Sequence, residues 1–142
     1  MIIGELKLVE NFEVRISDIN YGGHMGNDRA LSFFQDARIK YLKHFGFDEH
    51  YLADGIGIIL SESHVYYKKE VFLHDQLFAK VWLQDIKKRA FTMVYQFYRQ
   101  SDQALVFEGS NLVYAFEYQS RRACELPDNF INTLTSFTHP SE

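Results

Sequence analysis

The chain has a single cysteine, Cys124, so no disulfide can close within it. That fits a reducing compartment, and the cytoplasm is the expected location. Proline occurs only twice in 142 residues, and no proline-rich linker, low-complexity stretch or internal repeat divides the sequence. No apolar run approaches the ~18 residues needed to cross a bilayer, so no membrane span is expected. The opening MIIGELKLVE lacks the charged, then apolar, then small-residue order of a secretory signal. Positive charge is not in excess: the net charge is −4 and the pI about 5.8. No nucleic-acid partner is therefore expected. There is no cysteine pair and no His-x-x-x-His, so no metal site is expected, and no Walker-type phosphate loop is present.

What is abundant is aromatic side chains, at 16% of residues. The length suits one domain, 1–142, able to bury roughly 70% of the surface its unfolded chain would expose. Large rings pack best between a sheet and a helix. The stretch that organises the rest is 27–46, NDRALSFFQDARIKYLKHFG. Ala30, Phe33, Phe34, Ala37, Tyr41, Leu42 and Phe45 recur on one face of a helix of about five turns. Leu31 and Ile39 widen that face, which predicts a helix enclosed by its surroundings. Asn27 suits the N-cap, Asp28 the positive end of the dipole, and Gly46 the left-handed C′ position. Immediately before the cap lies a glycine-rich loop, Asp18 to Gly26, where polar residues gather at the helix N-terminus.

Period-two alternation predicts strands. NFEVRISD at 11–18 places Phe12, Val14 and Ile16 on one side. After a turn or short helix at 47–54, four further strands are expected at 55–70, 76–85, 89–100 and 104–118. Short polar turns at 86–88 and 101–103 suggest an antiparallel meander. A short helix is expected at 128–137. One long apolar helix and about five strands satisfy each other if the sheet curls around the helix, an α+β arrangement.

Ser17-Asp18-Ile-Asn20-Tyr-Gly-Gly23-His24-Met-Gly-Asn27, the helix segment Phe34-Gln35-Asp36-Ala37-Arg38, and Tyr67-Lys68-Lys69-Glu70-Val71-Phe72-Leu73-His74-Asp75 together resemble the signature of hot-dog fold acyl-CoA thioesterases of the 4-hydroxybenzoyl-CoA thioesterase type. That family places Asp-x-Asp-x-x-Gly-His-Val-Asn-Asn before its central helix. The likeness extends over residues 10 to 126. It implies a hot-dog fold, hydrolysis of an acyl-CoA, no cofactor beyond the coenzyme A moiety of the substrate, and a homodimer or homotetramer with shared sites. Two positions depart from the pattern. The family's second acidic residue is Asn20 here, and Gly26 replaces the first asparagine after the histidine.

Thioester hydrolysis needs a deprotonated water and donors for the developing oxyanion. The N–H groups of a helix start can serve as those donors, at roughly 2.7–4 kcal/mol each. Glycines at 22, 23 and 26 let the backbone approach a ligand closely. His24 is the candidate base, since histidine titrates near neutrality. Asp18 is a candidate for orienting His24 or acting on the water, and otherwise caps the turn. Asn20, which as an amide cannot be a base, would hold water or carbonyl. Glu62, mid-strand, is a candidate carboxylate reaching a partner chain's loop. Gly23, Asn27, Asp28 and Tyr67 are candidates for contacting substrate. Lys68, Lys88 and Arg89 are candidates for the phosphates of coenzyme A. His44, His50, His74 and His139 are expected at the surface, and Cys124 to be inert. The rival readings are a non-catalytic binder of acyl thioesters or fatty acids, and a hot-dog dehydratase, whose His-Phe-Pro-Gly loop this chain lacks.

Overall fold

The computed structural model describes residues 1–137; the expectation for His139 lies outside them. In chain order the elements are β1 (Ile3–Glu13), a 3-10 turn (Ile16–Asp18), a second 3-10 turn (Asn27–Arg29), α1 (Ala30–His44), β2 (Ile56–Tyr67), β3 (Gln76–Gln84), β4 (Ala90–Arg99), β5 (Leu105–Glu117), the short β6 (Arg122–Ala123) and α2 (Asp128–Thr135).

The alternating side chains of the middle strands form the floor of the core. Leu77, Ala79, Val81 and Leu83 of β3 and Phe91, Met93, Tyr95 and Phe97 of β4 are all fully buried. Against them lie Phe33, Phe34, Ala37 and Tyr41 of α1. Phe34 stacks on Tyr95 with ring centroids 4.4 Å apart and planes 10° from parallel. A pair of this kind contributes ~0.5–1.5 kcal/mol beyond its buried area. The helix ends in a Schellman motif: Phe47 N–H donates to the Leu42 carbonyl and Gly46 N–H to that of Lys43. Gly46 takes φ +88° at the left-handed position, as its spacing predicts.

Three expectations are corrected. The first strand is Ile3–Glu13, not 11–18; Ile16 lies in a 3-10 turn and is 73% exposed. The inward residues of β1 are Ile3, Leu6, Val9 and Phe12, facing Leu83, Val81, Ala79 and Leu77 in turn. Three residues of β1 pass for every two of β3, because the register shifts at each step. A bulged strand carries its apolar side chains at period three, so a period-two search misses it. Secondly, Asn27 is not the N-cap: Gly26 occupies that place without a side-chain bond, and Asn27 opens the 3-10 turn that leads into α1. Leu31 and Ile39 are near half exposed, on the flank of the helix that the sheet does not wrap.

The third correction concerns strand order. The sheet runs β1-β3-β4-β5-β2, all neighbours antiparallel. β3, β4 and β5 form a meander, but β2 crosses over to the far side and pairs with β5. It is an edge strand, and Ile59 to His64, Tyr66 and Tyr67 are exposed on it. The curved sheet wraps one side of α1 and brings the last residues of β2 to the start of the helix.

Candidate active site

The loop 18–26 folds back on itself before entering the helix. Asn20 N–H donates to the His24 carbonyl at 3.0 Å and Gly23 N–H to that of Asn20 at 3.1 Å, with Gly23 at φ +79°. The Asn20 side-chain oxygen accepts from Gly22 N–H at 2.9 Å, an Asx turn. Met25 N–H donates to the Val71 carbonyl, and Gly26 N–H to that of Asp18. These two bonds clamp the loop between the helix start and the segment that follows β2.

His24 is half-buried, and its Nδ1 lies 3.2 Å from the Met25 carbonyl oxygen. A carbonyl only accepts, so Nδ1 is the donor in this contact, and in the neutral imidazole Nε2 then carries the lone pair. The ring lies over Gly22. A Cβ there would be 2.9 Å from Nε2 and 3.3 Å from the Asn20 side-chain oxygen. Gly22 is thus the space that the imidazole occupies.

His24, Asn27, Tyr67 and Lys68 line one cavity of about 250 Å³, with Val71 and Phe107 on its apolar side. Four predicted site residues are brought together there. The Tyr67 hydroxyl donates to the Asn27 carbonyl, tying the end of β2 to the first turn of the helix. Burial, and secondarily the Asp28 carboxylate nearby, push the Tyr67 phenol up. It therefore stays a donor. The first-turn N–H groups of Asn27 and Asp28 have no intrahelical acceptor. Lys69 and Glu70 also border the cavity; Glu70 is a carboxylate at this site that sequence reasoning did not single out.

Other candidates lie elsewhere. The Asp18 carboxylate does not orient His24. It is 7% exposed, accepts from Arg29 Nε at 3.0 Å and from Arg15 N–H at 2.9 Å, and faces a separate depression lined by Arg29 and Asp36. Its observed contacts brace the loop against the helix start. Glu62 is exposed on β2, opposite Leu112 of β5, and its carboxylate meets His64 at 3.1 Å. Lys88 pairs with Glu125 at 2.9 Å, beside the β3–β4 turn. Along β4, Ala90 and Phe97 are separated by about 23 Å at 3.3 Å per residue. Phe97 pairs with Phe107 at the cavity, so Lys88 and Arg89 stand at the opposite end of the sheet in the same chain. His44, His50 and His74 are exposed as expected. Burial pushes the Cys124 thiol up, which suits an unreactive side chain.

Two polar arrangements carried little sequence signal. Asp75 accepts from Arg99 Nη1 and from Phe72 N–H, both at 2.9 Å, and so shapes the 70–75 segment that walls the cavity. Arg38, expected as an ordinary helix residue, is 4% exposed. Its Nε donates to Glu49 at 2.6 Å, and its Nη1 to Tyr95 at 3.1 Å and Asn111 at 2.8 Å. The Asn111 amide nitrogen donates in turn to the Ser63 hydroxyl at 2.8 Å. Only the Arg at the end of the helix motif hinted at this network.

The family model described as thioesterase-like superfamily matches residues 14–134. No curated protein matches the sequence. Among solved structures, DHNA-CoA thioesterase from Staphylococcus aureus is 20% identical, with a TM-score of 0.77 over 89% of this chain and 84% of that one. A 1,4-dihydroxy-2-naphthoyl-CoA thioesterase from Synechocystis is 14% identical, with a TM-score of 0.83 over 96% of this chain and all of that one (100%). A Staphylococcus aureus protein solved in complex with CoA is 15% identical, with a TM-score of 0.77 over 97% of this chain and 89% of that one. At these identities the structural likeness establishes the fold, a long helix held in a curved antiparallel sheet.

Proposed function

The chain belongs to the thioesterase-like superfamily, and from that premise we propose that it hydrolyses acyl-CoA thioesters to the free acid and coenzyme A. The carrying observation is that one cavity is lined both by His24, whose Nδ1 engages the Met25 carbonyl, and by Asn27, the first residue of the helix start. His24 Nε2 takes a proton from water as the water oxygen attacks the thioester carbonyl carbon. The carbonyl oxygen becomes an oxyanion at the N–H groups of Asn27 and Asp28. The C–S bond then breaks, and the leaving thiolate recovers the proton from the imidazolium. Asn20 and Gly23 set the loop that holds His24 in place. Tyr67 fixes the wall opposite, and Lys68 stands at the rim for the phosphates of coenzyme A.

β2 leaves one long edge without a partner strand among the described residues, with Ile59, Leu60, Tyr66 and Tyr67 exposed. An edge of this length favours strand pairing with another copy. In such a homodimer Glu62 would stand at the seam. A panel of acyl-CoAs with thiol release read by a disulfide reagent tests the reaction; no release on any chain length would count against it.

A second reading is a non-catalytic binder of acyl thioesters or fatty acids. It is favoured by Asn20, an amide in the family's carboxylate position, engaged with Gly22 N–H. Under it, wild type binds without turnover and Asn20→Asp creates activity. Under hydrolysis by His24, the same change only modulates an existing rate.

A further inference from the structure

The imidazole of His24 hangs from the backbone of the residue after it. Its Nδ1 lies 3.2 Å from the Met25 carbonyl oxygen. The Met25 N–H donates in turn to the Val71 carbonyl at 2.7 Å. Both polar groups of the Met25 backbone are therefore engaged, one by the ring and one by the segment that follows β2. Met25 and Val71 are 6% and 3% exposed, so this link is packed as well as bonded. Whatever sets the Val71 carbonyl also sets the ring.

Residues 68–75 belong to no helix or strand. Their near end is held where the N–H groups of Lys68 and Lys69 both donate to the Val106 carbonyl, at 2.9 and 3.1 Å. Their far end is held where His74 N–H donates to the Val14 carbonyl and Val14 N–H to that of Asp75. Between these ends a side chain reaches in from the sheet. Arg99, the last residue of β4, donates from Nη1 to the Glu70 carbonyl at 3.0 Å and to the Asp75 carboxylate at 2.9 Å. The same Asp75 oxygen accepts from Phe72 N–H at 2.9 Å. Arg99 Nε donates to Asp102 at 3.2 Å, and the side chain is 14% exposed. A guanidinium aims its donors in a fixed plane, and charged donors make the stronger hydrogen bonds. Its own backbone is fixed by the frame: Arg99 stands opposite Leu77 of β3, and its N–H donates to the Ala104 carbonyl at 2.9 Å. Glu70 and Val71 border the His24 cavity, and Arg99 stands behind them.

We propose that Arg99 is a positioning residue for His24: it fixes Glu70 and Asp75, and through Val71 and Met25 it holds the imidazole in the orientation that the reaction needs. This rests on the reading of His24 as the base. Without the guanidinium the 68–75 segment keeps both ends and loses its middle anchor. The Val71 carbonyl then shifts, Met25 follows, and the ring turns. A displacement of about 1 Å at a reacting group can cost about a hundredfold in rate. A purely structural ion pair predicts something else: lower stability, with kcat unchanged in the molecules that stay folded.

The test uses Arg99→Met, which keeps a packed stem and removes every donor, and Arg99→Lys, which keeps the charge without the fork. Both are measured at a temperature where melting curves show them folded. On one acyl-CoA, kcat should fall by about tenfold or more in Arg99→Met and by less in Arg99→Lys, with KM within about threefold of wild type. The imidazole nitrogen NMR signals of His24, assigned by their absence in His24→Ala, should move in the same order. A folded Arg99→Met in which either kcat or the His24 signals stay at wild-type values overturns the proposal. If Arg99→Met does not fold, Arg99→Lys decides by the same two readouts. If wild type releases no thiol from any acyl-CoA, the hydrolytic reading fails by itself. The imidazole signals then decide alone: displaced signals sustain the positioning role, and unmoved signals refute it.

Discussion

The His24 imidazole occupies the space that a side chain on Gly22 would fill: a Cβ there would lie 2.9 Å from Nε2 and 3.1 Å from Cδ2. Gly22→Ala should therefore turn the ring aside without disturbing the core, because Gly22 is exposed. Thioester hydrolysis should fall by about tenfold or more, since misplacing a reacting group by about 1 Å can cost a hundredfold. Thermal melting should move by no more than about 0.5 kcal/mol in stability. Unchanged kinetics in Gly22→Ala would mean that the ring position is immaterial.

Arg38 and Glu49 form a largely buried ion pair; the side chains are 5% and 21% exposed. Glu49→Ala leaves the guanidinium with neutral partners, Tyr95 and Asn111. Removing one partner of a fully dry pair costs roughly 3–5 kcal/mol, and the wetter Glu49 brings the expectation down to about 2 kcal/mol or a little more. Urea unfolding measures it. A loss under about 0.5 kcal/mol would show the pair to be incidental.

Alkaline pH should weaken the fold through Tyr95. Burial, which outweighs the opposing pull of Arg38, pushes its phenol up to about 12 from the model-peptide value of 10.0. The folded state then holds the proton more tightly than the unfolded chain. The stabilisation is complete below pH 10 and is lost as pH rises through about 12, on the order of 2–3 kcal/mol across that window. Tyr41, whose phenol burial also pushes up, adds to the slope. Melting temperature against pH should fall steeply over that window for wild type and less steeply for Tyr95→Phe. Identical slopes would remove Tyr95 from the explanation.

The exposed edge of β2 predicts self-association. Sedimentation equilibrium should give a mass of two protomers, or a multiple of two, at micromolar concentration. A monomer at every concentration tested would leave Glu62 without a partner loop to meet.

Much of this architecture was legible because it obeys simple periods. Phe33, Phe34, Ala37 and Tyr41 mark a helix face at 3.6, and β3 to β5 alternate at 2, so their positions and inward faces follow from the sequence. β1 was not legible as a strand over its length, because its bulges move Ile3, Leu6, Val9 and Phe12 to period three. The placement of β2 beside β5 was hidden as well, since a crossover leaves no local trace. At the site, the glycines and His24 were visible as a motif. The contacts of Asp18 were not: Arg29, eleven residues away, claims its carboxylate. Lys88 and Arg89 were grouped with Lys68 by charge alone, and strand length sets them at opposite ends. The Arg38 network joins residues from α1, β2, β4 and β5, so only tertiary packing reveals it.

The most direct test is the steady-state release of coenzyme A by wild type and by His24→Ala on the same acyl-CoA, with melting curves to show that both are folded. Wild type should turn over, and the variant should lose about 10²–10⁴-fold in kcat, the usual contribution of a positioned base. Equal rates for the two proteins, or a wild type that binds acyl-CoA and releases no thiol, would contradict hydrolysis at the His24 cavity.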